Sequence, residues 1–318
     1  MAEMYSCGFE PKPQLVAMVA ANDPAVRGLW LAGSDADDCS KQEVLDCLAA
    51  LRRNTAVTHL EVGHGWEHHD ELTAVLAENR SITSLVINND DRQDQDWRPI
   101  VAALSCSMPL RSLVMSKTEV MEPGGFEAIG SALAANTTLT SLDVYNCLCG
   151  MGEMTHIGRA LCANTTLRKL KQWGCDCMCE GEVAAFAEAL PRMRGLADLR
   201  LSAPSREAAL RIIRGIAGNS SLRTLTLKVQ RRGWPAAAAE ATDTAAPRSM
   251  HAALVEALSV NRTLEAASLD DRGVPRDAAA SPDSAALDSL LARNGDIRRR
   301  WGRRGQLVGW RRAVGGHW

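Results

Sequence analysis

Apolar residues recur along the chain in a six-residue pattern, with anchors at the first, fourth and sixth positions. The pattern is clear in LTSLDV (residues 139–144) and LRTLTL (222–227), and the residue three before the first anchor is usually Asn. Nine copies occur, and through the middle of the chain they follow one another about every 28 residues. The anchor sets are Val26/Leu29/Leu31, Val57/Leu60/Val62, Ile82/Leu85/Ile87, Leu110/Leu113/Met115, Leu139/Leu142/Val144, Leu167/Leu170 (with Gln172 in the third place), Leu196/Leu199/Leu201, Leu222/Leu225/Leu227 and Leu264/Ala267/Leu269.

The spacing of apolar residues changes between the copies. Within each copy the alternation predicts a short strand, because successive side chains of a strand point to opposite faces. Between copies, sets such as Phe126, Ile129 and Leu133 have spacings of three and four, which predict one face of a helix. A single strand–helix unit cannot bury its apolar face, so the units are expected to stack. The sequence predicts an α/β solenoid with parallel strands on the concave face and helices on the convex face.

The repeat resembles a known family. LTSLDVYNCLC (139–149) is similar to the L-x-x-L-x-L-x-x-N/C-x-L consensus of leucine-rich repeats. The period near 28 with a full helix resembles the ribonuclease-inhibitor-like subfamily. The A-N-T-T-L joints at 135–139 and 163–167 resemble bacterial effector arrays of the GALA type. The resemblance implies a horseshoe that binds a protein partner, and an effector acting in a host cell. GALA proteins also carry an F-box, whose absence from residues 1–25 weakens the alternative of a ubiquitin-ligase adaptor.

Breaks in the repeat divide the chain into three parts. Residues 1–21 are expected to form an N-terminal cap, and 22–294 an array of about nine units. An insertion rich in Ala and Pro at 229–250 lengthens one unit. A basic tail rich in Arg and Trp occupies 295–318.

Two interpretations of this tail stay open. It forms a cap or a disordered end, or it binds phosphates, RNA or an anionic membrane through charge and stacking. The candidate anion-binding residues are Arg298, Arg299, Arg300, Trp301, Arg303 and Arg304.

Charge and cysteine usage limit the alternatives. The net charge of −2 and the pI of about 6.4 argue against a generally nucleic-acid-binding surface. Ten cysteines without the spacing of a disulfide framework favour a reducing compartment, the cytoplasm of the cell or of a host. The sequence contains neither a secretory signal pattern nor an apolar run of roughly 18 residues, so no transmembrane segment is predicted.

Candidate chemistry is sparse. Cys147, Cys149, Cys175 and Cys177 recur at equivalent places in adjacent units, which permits a zinc site or, alternatively, structural cysteines. No Ser/His/Asp order, P-loop or dinucleotide fingerprint occurs in a strand–turn–helix context. A protein without enzymatic activity and without a cofactor is therefore expected.

The strand residues that flank the second and third anchors should line the concave face. In units five to seven they combine two aromatic residues with surrounding charges, which is the usual composition of a protein-binding hot spot. The predicted partner-binding residues are Asp143, Tyr145, Lys169, Lys171, Trp173, Asp198 and Arg200.

Overall fold

The structure is a computed structural model of the 318-residue chain. It describes most of the repeats, with gaps at several loops between strands and helices. The described residues are 4–6, 12–31, 41–63, 68–88, 98–105, 108–116, 125–145, 153–173, 180–229, 250–271 and 282–301.

Ten strands form one parallel sheet in which they follow one another in chain order. This order requires every connection to leave the sheet and return on the same side, which is what stacked strand–helix units do. The strands are β1 (Met4–Ser6), β2 (Gly28–Leu31), β3 (His59–Val62), β4 (Ser84–Asn88), β5 (Ser112–Ser116), β6 (Ser141–Tyr145), β7 (Lys169–Trp173), β8 (Asp198–Ala203), β9 (Thr224–Val229) and β10 (Ala266–Asp271).

Strands and helices alternate along the chain, and the helices lie on the opposite side of the core from the sheet. Each of these helices packs against the helix before it and the helix after it. The helices are α1 (Lys12–Ala20), α2 (Lys41–Leu51), α3 (His69–Glu78), α4 (Arg98–Ser105), α5 (Gly125–Ala135), α6 (Glu153–Ala163), α7 (Glu180–Ala189, extended by a 3-10 turn Leu190–Arg192), α8 (Arg206–Ile216), α9 (Met250–Val260) and α10 (Pro282–Trp301).

The predicted anchors form the core. The second anchors pair in register from strand to strand, as Leu113 with Leu142 and Leu142 with Leu170. Almost all anchors are fully buried, whereas Ile87, Ala267 and Leu269 are partly buried. The helix residues Phe126, Ile129 and Leu133 are buried too. The predicted fold class is confirmed.

The spacing between strands is smaller than the spacing between helices, and this difference places the sheet on the concave side. Neighbouring strands lie about 4.8 Å apart, whereas packed helices need about 8–10 Å between their axes. Stacking ten units therefore curves the array with the sheet on the concave side. Strand residues that flank the second and third anchors face this concave side, and the predicted binding residues are among them.

Buried asparagines join each unit to the one before it. In Asn164, Nδ2 donates to the carbonyls of Leu133 and Asn136 at 2.7 and 2.8 Å. Its Oδ1 accepts from the backbone N–H groups of Thr166 and Leu167 at 2.9 and 2.8 Å. One amide thus satisfies carbonyls left over at the end of the preceding helix and fixes the turn into the next strand. We call this set the asparagine ladder; it comprises Asn54, Asn79, Asn136, Asn164, Asn219, Asn261 and Asn294.

Both ends of the array contain more regular structure than the repeat pattern predicts. The strand Met4–Ser6 pairs with β2 inside the predicted cap, so the sheet has one strand more than the nine copies. At the other end, α10 continues beyond residue 294 to Trp301, so the predicted boundary falls within a helix. The insertion lies between the last residue of β9 and the first of α9, and its residues 230–249 are outside the described part.

A close approach between α7 and α8 leads to the first prediction. A Cβ added at Gly215 would lie 2.5 Å from the carbonyl oxygen of Ala187, which is backbone and cannot move aside alone. Gly215→Ala should therefore lower the free energy of unfolding by about 1–3 kcal/mol, although alanine is the better helix former. Urea denaturation measures the change. Gly295→Ala in α10 is the control, because a Cβ there meets no atom within 4 Å; destabilisation of both variants alike would contradict the packing explanation.

Candidate functional site

The seven predicted binding residues lie together on β6, β7 and β8. Parallel register aligns them in rows across the strands, so residues far apart in sequence become neighbours about 4.8 Å apart. We call this group, together with Lys228, the concave patch. The rows are Ser141/Lys169/Asp198, Asp143/Lys171/Arg200 and Tyr145/Trp173.

Two ion pairs lie on the floor of the concave patch. Lys171 Nζ lies 2.7 Å from Asp143 Oδ2, across the β6–β7 pair. Arg200 Nη2 lies 3.3 Å from Asp198 Oδ2, within β8. These side chains are 17–35% exposed, so water reaches them and each pair adds little to stability, about 0–1 kcal/mol. The pairs hold the charges in a fixed pattern that a partner can recognise.

The aromatic row forms the end of the concave patch nearest the carboxyl ends of the strands. Tyr145 is 47% exposed, and within the described part of the chain only Val260 is another exposed large hydrophobic residue. Trp173 stands beside Tyr145 in register and is half-buried. An exposed aromatic next to a partly exposed one offers apolar area that becomes buried only when a partner covers it.

A fourth strand contributes a cation that the sequence pattern did not assign to the site. Lys228 Nζ on β9 lies 5.8 Å from the centroid of the Trp173 ring, within the range of a cation–π contact. It reaches across β8 because the intervening residue there, Ser202, is small and buried. Alternation placed Lys228 on the concave face, but only the three-dimensional neighbourhood connects it to Trp173.

Lys169 completes the concave patch and differs from its neighbours. Its side chain is exposed, and among the described residues it forms no hydrogen bond or ion pair. Asp198, its neighbour in register, is engaged by Arg200 instead. The ammonium group of Lys169 therefore lacks an ion-pair partner among the described residues, at the end of the concave patch opposite the aromatic row.

The departure from the repeat at Gln172 is accommodated in the core. Gln172 is 1% exposed, and its Oε1 accepts from the backbone N–H of Ser202 at 3.2 Å. Its Nε2 has no hydrogen-bond partner among the residues that the structure describes. The side chain holds the end of β8 against β7 and lies behind the concave patch.

The four cysteines of the predicted metal site are not among the described residues. Cys147, Cys149, Cys175 and Cys177 fall outside the described residues. Within the described ranges, Cys47 is buried and Cys162 partly buried, and no group of three His, Cys, Asp or Glu side chains could hold a metal ion. The zinc site and the structural interpretation both stay predictions.

The tail candidates are only partly covered. Residues 298–301 belong to the last turns of α10, but their side chains are outside the described part, and so are Arg303 and Arg304 altogether. Across the described residues, every helix is too short or too polar to cross a membrane.

Comparisons with known proteins concern the fold. No model of a known protein family matches the chain, and no curated protein matches it. The crystal structure of the leucine-rich repeat-containing protein LegL7 from Legionella pneumophila is 15% identical, with a TM-score of 0.45, covering 91% of this chain and 98% of its own. The actin-binding site 2 of leiomodin-1 is 16% identical, with a TM-score of 0.33, covering 58% of this chain and 81% of its own. The chain's own repeat and its ordered parallel sheet make it a leucine-rich-repeat solenoid.

Proposed function

We propose that this chain is a non-enzymatic binding scaffold that captures a protein partner on the concave patch. The observation that carries the proposal is the aromatic row, in which Tyr145 is exposed and Trp173 half-buried, beside the fixed charges of the concave patch. Interface hot spots combine a desolvated aromatic anchor with a polar rim in this way.

The arrangement of charge suggests what the partner presents. The two ion pairs leave Lys169 uncompensated, and Lys228 lies over Trp173. A complementary surface would insert an apolar side chain beside Tyr145 and place a carboxylate near Lys169. The carboxylates of Asp143 and Asp198 are both paired with cations. Paired carboxylates are better suited to recognising a partner than to accepting a proton in a reaction.

The wider role follows the resemblance of the repeat joints to effector arrays. On that basis we propose that the partner is a host protein and that the chain acts in the host cytoplasm. The adaptor role in a ubiquitin ligase has no support from the concave patch.

Comparative capture tests the proposal. Immobilised wild-type chain, the double variant Tyr145→Ala/Trp173→Ala and the convex-face variant Arg211→Gln/Arg214→Gln are exposed to the same host lysate. We expect a defined protein to be retained by the wild type and by the convex variant, and to be lost from the double variant. Retention of the same proteins by all three, with unchanged circular dichroism, would show that the concave patch is not the binding surface.

A further inference from the structure

The side of the solenoid where strands begin carries a concentration of arginine. Strands run one way and helices return the other way, so the helix ends and the strand starts meet along one edge of the array. The joints there, together with Glu78 of α3 and Arg293 of α10, hold eleven arginines against three acids, a net charge of +8 on a chain whose total is −2. We call this the basic edge; its arginines are Arg27, Arg52, Arg53, Arg80, Arg111, Arg168, Arg192, Arg194, Arg223, Arg262 and Arg293, and its acids are Asp23, Glu78 and Glu265.

The opposite edge has the opposite sign. The first turns of the helices lie there, and in the described part their acids outnumber their bases. The acids include Glu43, Asp70, Glu71, Glu127 and Glu180, and the bases are Lys12, Lys41, Arg98 and Arg206. Charges are therefore separated across the solenoid, although the whole molecule is close to neutral.

Local structure explains six of the arginines. Arg52 and Arg223 pair with Glu78 and Glu265 at 3.6 and 3.1 Å. Four others bind neighbouring oxygen atoms, chiefly backbone carbonyls near helix ends: Arg80, Arg168, Arg194 and Arg293.

Five arginines of the basic edge have no such explanation. All five are exposed, and within the described residues their side chains form no hydrogen bond or ion pair. Helix dipoles favour cations near helix ends, but Arg27 and Arg111 follow the first anchor and lie immediately before a strand instead. The five are Arg27, Arg53, Arg111, Arg192 and Arg262, and they are distributed from the first joint to the last.

Like charges crowd one end of the edge. Burial and, secondarily, the positive charge of Arg262 lower the pKa of Arg293. An anion bound over this end would relieve that repulsion.

We propose that the basic edge binds the surface of an anionic phospholipid bilayer. Guanidinium groups form paired hydrogen bonds with phosphate oxygens, and every basic residue of the edge is an arginine. Strand starts in common register lie on one flat side of a curved array, so arginines of distant units can reach a planar layer together. A rod-shaped duplex would touch only part of that curved row.

Two features of the same edge favour lipid over nucleic acid. Val260, at the end of α9 beside Arg262, is 68% exposed, whereas no exposed aromatic residue lies on the described part of the edge to stack on bases. In addition, α10 extends beyond the edge. Asn294 lies at the edge, because it belongs to the asparagine ladder and donates to the carbonyl of Leu264. The helix continues for seven residues after it, about 10 Å at 1.5 Å per residue. The sequence of that extension is GDIRRRW, so this part of the chain contains three of the predicted tail arginines.

Vesicle co-sedimentation of the full chain tests the proposal. The vesicles are phosphatidylcholine with and without added phosphatidylserine, and a duplex RNA is assayed in parallel. We compare Arg53→Gln/Arg111→Gln/Arg262→Gln on the basic edge with a convex variant, Lys41→Gln/Arg159→Gln/Arg211→Gln, which removes the same charge from exposed helix positions away from that edge.

The wild type should bind the phosphatidylserine vesicles and dissociate in ~1 M salt, where the Debye length falls to about 3 Å. The edge variant should bind about a hundredfold more weakly, since each basic residue near an anionic surface contributes about 1 kcal/mol, and the convex variant should bind almost as the wild type does. Equal losses in both variants, binding without phosphatidylserine, or edge-dependent binding of the duplex RNA alone would overturn the proposal. None of these substitutions touches the concave patch, so the result is independent of the proposed protein capture.

Discussion

Asn164→Ala is expected to lower the free energy of unfolding by about 3–5 kcal/mol. The substitution removes two donors and one shared acceptor. The backbone N–H groups of Thr166 and Leu167 lose their partner, and the carbonyls of Leu133 and Asn136 each lose their shorter bond and keep one donor at 3.2 Å. Each unsatisfied buried group costs about 1–3 kcal/mol, and partial relaxation keeps the total below the sum. Urea denaturation followed by circular dichroism measures the loss.

Thr165→Ala is the matched control for this prediction. Thr165 is the next residue, is exposed, and forms no side-chain hydrogen bond among the described residues. Its replacement should change the free energy of unfolding by no more than about 0.5 kcal/mol. Because units of a solenoid contact only their neighbours, Asn164→Ala should also broaden the transition, as the array separates near β7. Equal, small losses in the two variants would mean that the asparagine ladder is incidental to the coupling of units.

Tyr145→Ala/Trp173→Ala is expected to weaken binding of the captured partner about a thousandfold. Hot-spot truncations cost at least about 2 kcal/mol each, and two of them amount to about 4 kcal/mol. Both rings lie at least partly outside the core, so the fold should survive the change. Isothermal titration calorimetry with the purified partner measures the affinity.

Trp30→Ala provides the control for the aromatic pair. Trp30 lies on the same concave face but on β2, four strands from β6, or about 19 Å at 4.8 Å per strand. Its ring rests on Gly63, since a Cβ at that glycine would lie 3.0 Å from the indole nitrogen. Trp30→Ala should leave the affinity for the partner unchanged. If Trp30→Ala lost affinity and the double variant kept it, the binding surface would lie at the other end of the sheet.

The repeat could be predicted because two spacings of apolar residues alternate along the chain, one typical of strands and one typical of helices. Anchors such as Leu142 and Leu170 recur at nearly constant spacing, and stacking is the one way to bury them all. The alternation within strands also placed Tyr145 and Trp173 on the concave face, because the side of a strand to which a side chain points depends only on its position along that strand. Fold and the position of the candidate patch therefore followed from local pattern.

Other features depend on contacts that no local pattern contains. The Asn before each strand was visible as a recurring letter, but its bonds to the preceding unit require the stacked structure. Lys228 reaches Trp173 only because Ser202 between them is small. The strand Met4–Ser6 lacks the anchor pattern and exists because β2 offers it an open edge. The charge of the basic edge becomes apparent only when joints far apart in sequence align.

Site-specific photocrosslinking tests the central claim most directly, because it reports which face touches the partner. A photoreactive phenylalanine analogue replaces Tyr145 on the concave patch in one variant and Glu188, exposed on the convex helix α7, in another. We predict that the captured partner crosslinks from position 145 and not from position 188. Crosslinking from position 188 alone would contradict concave-face binding.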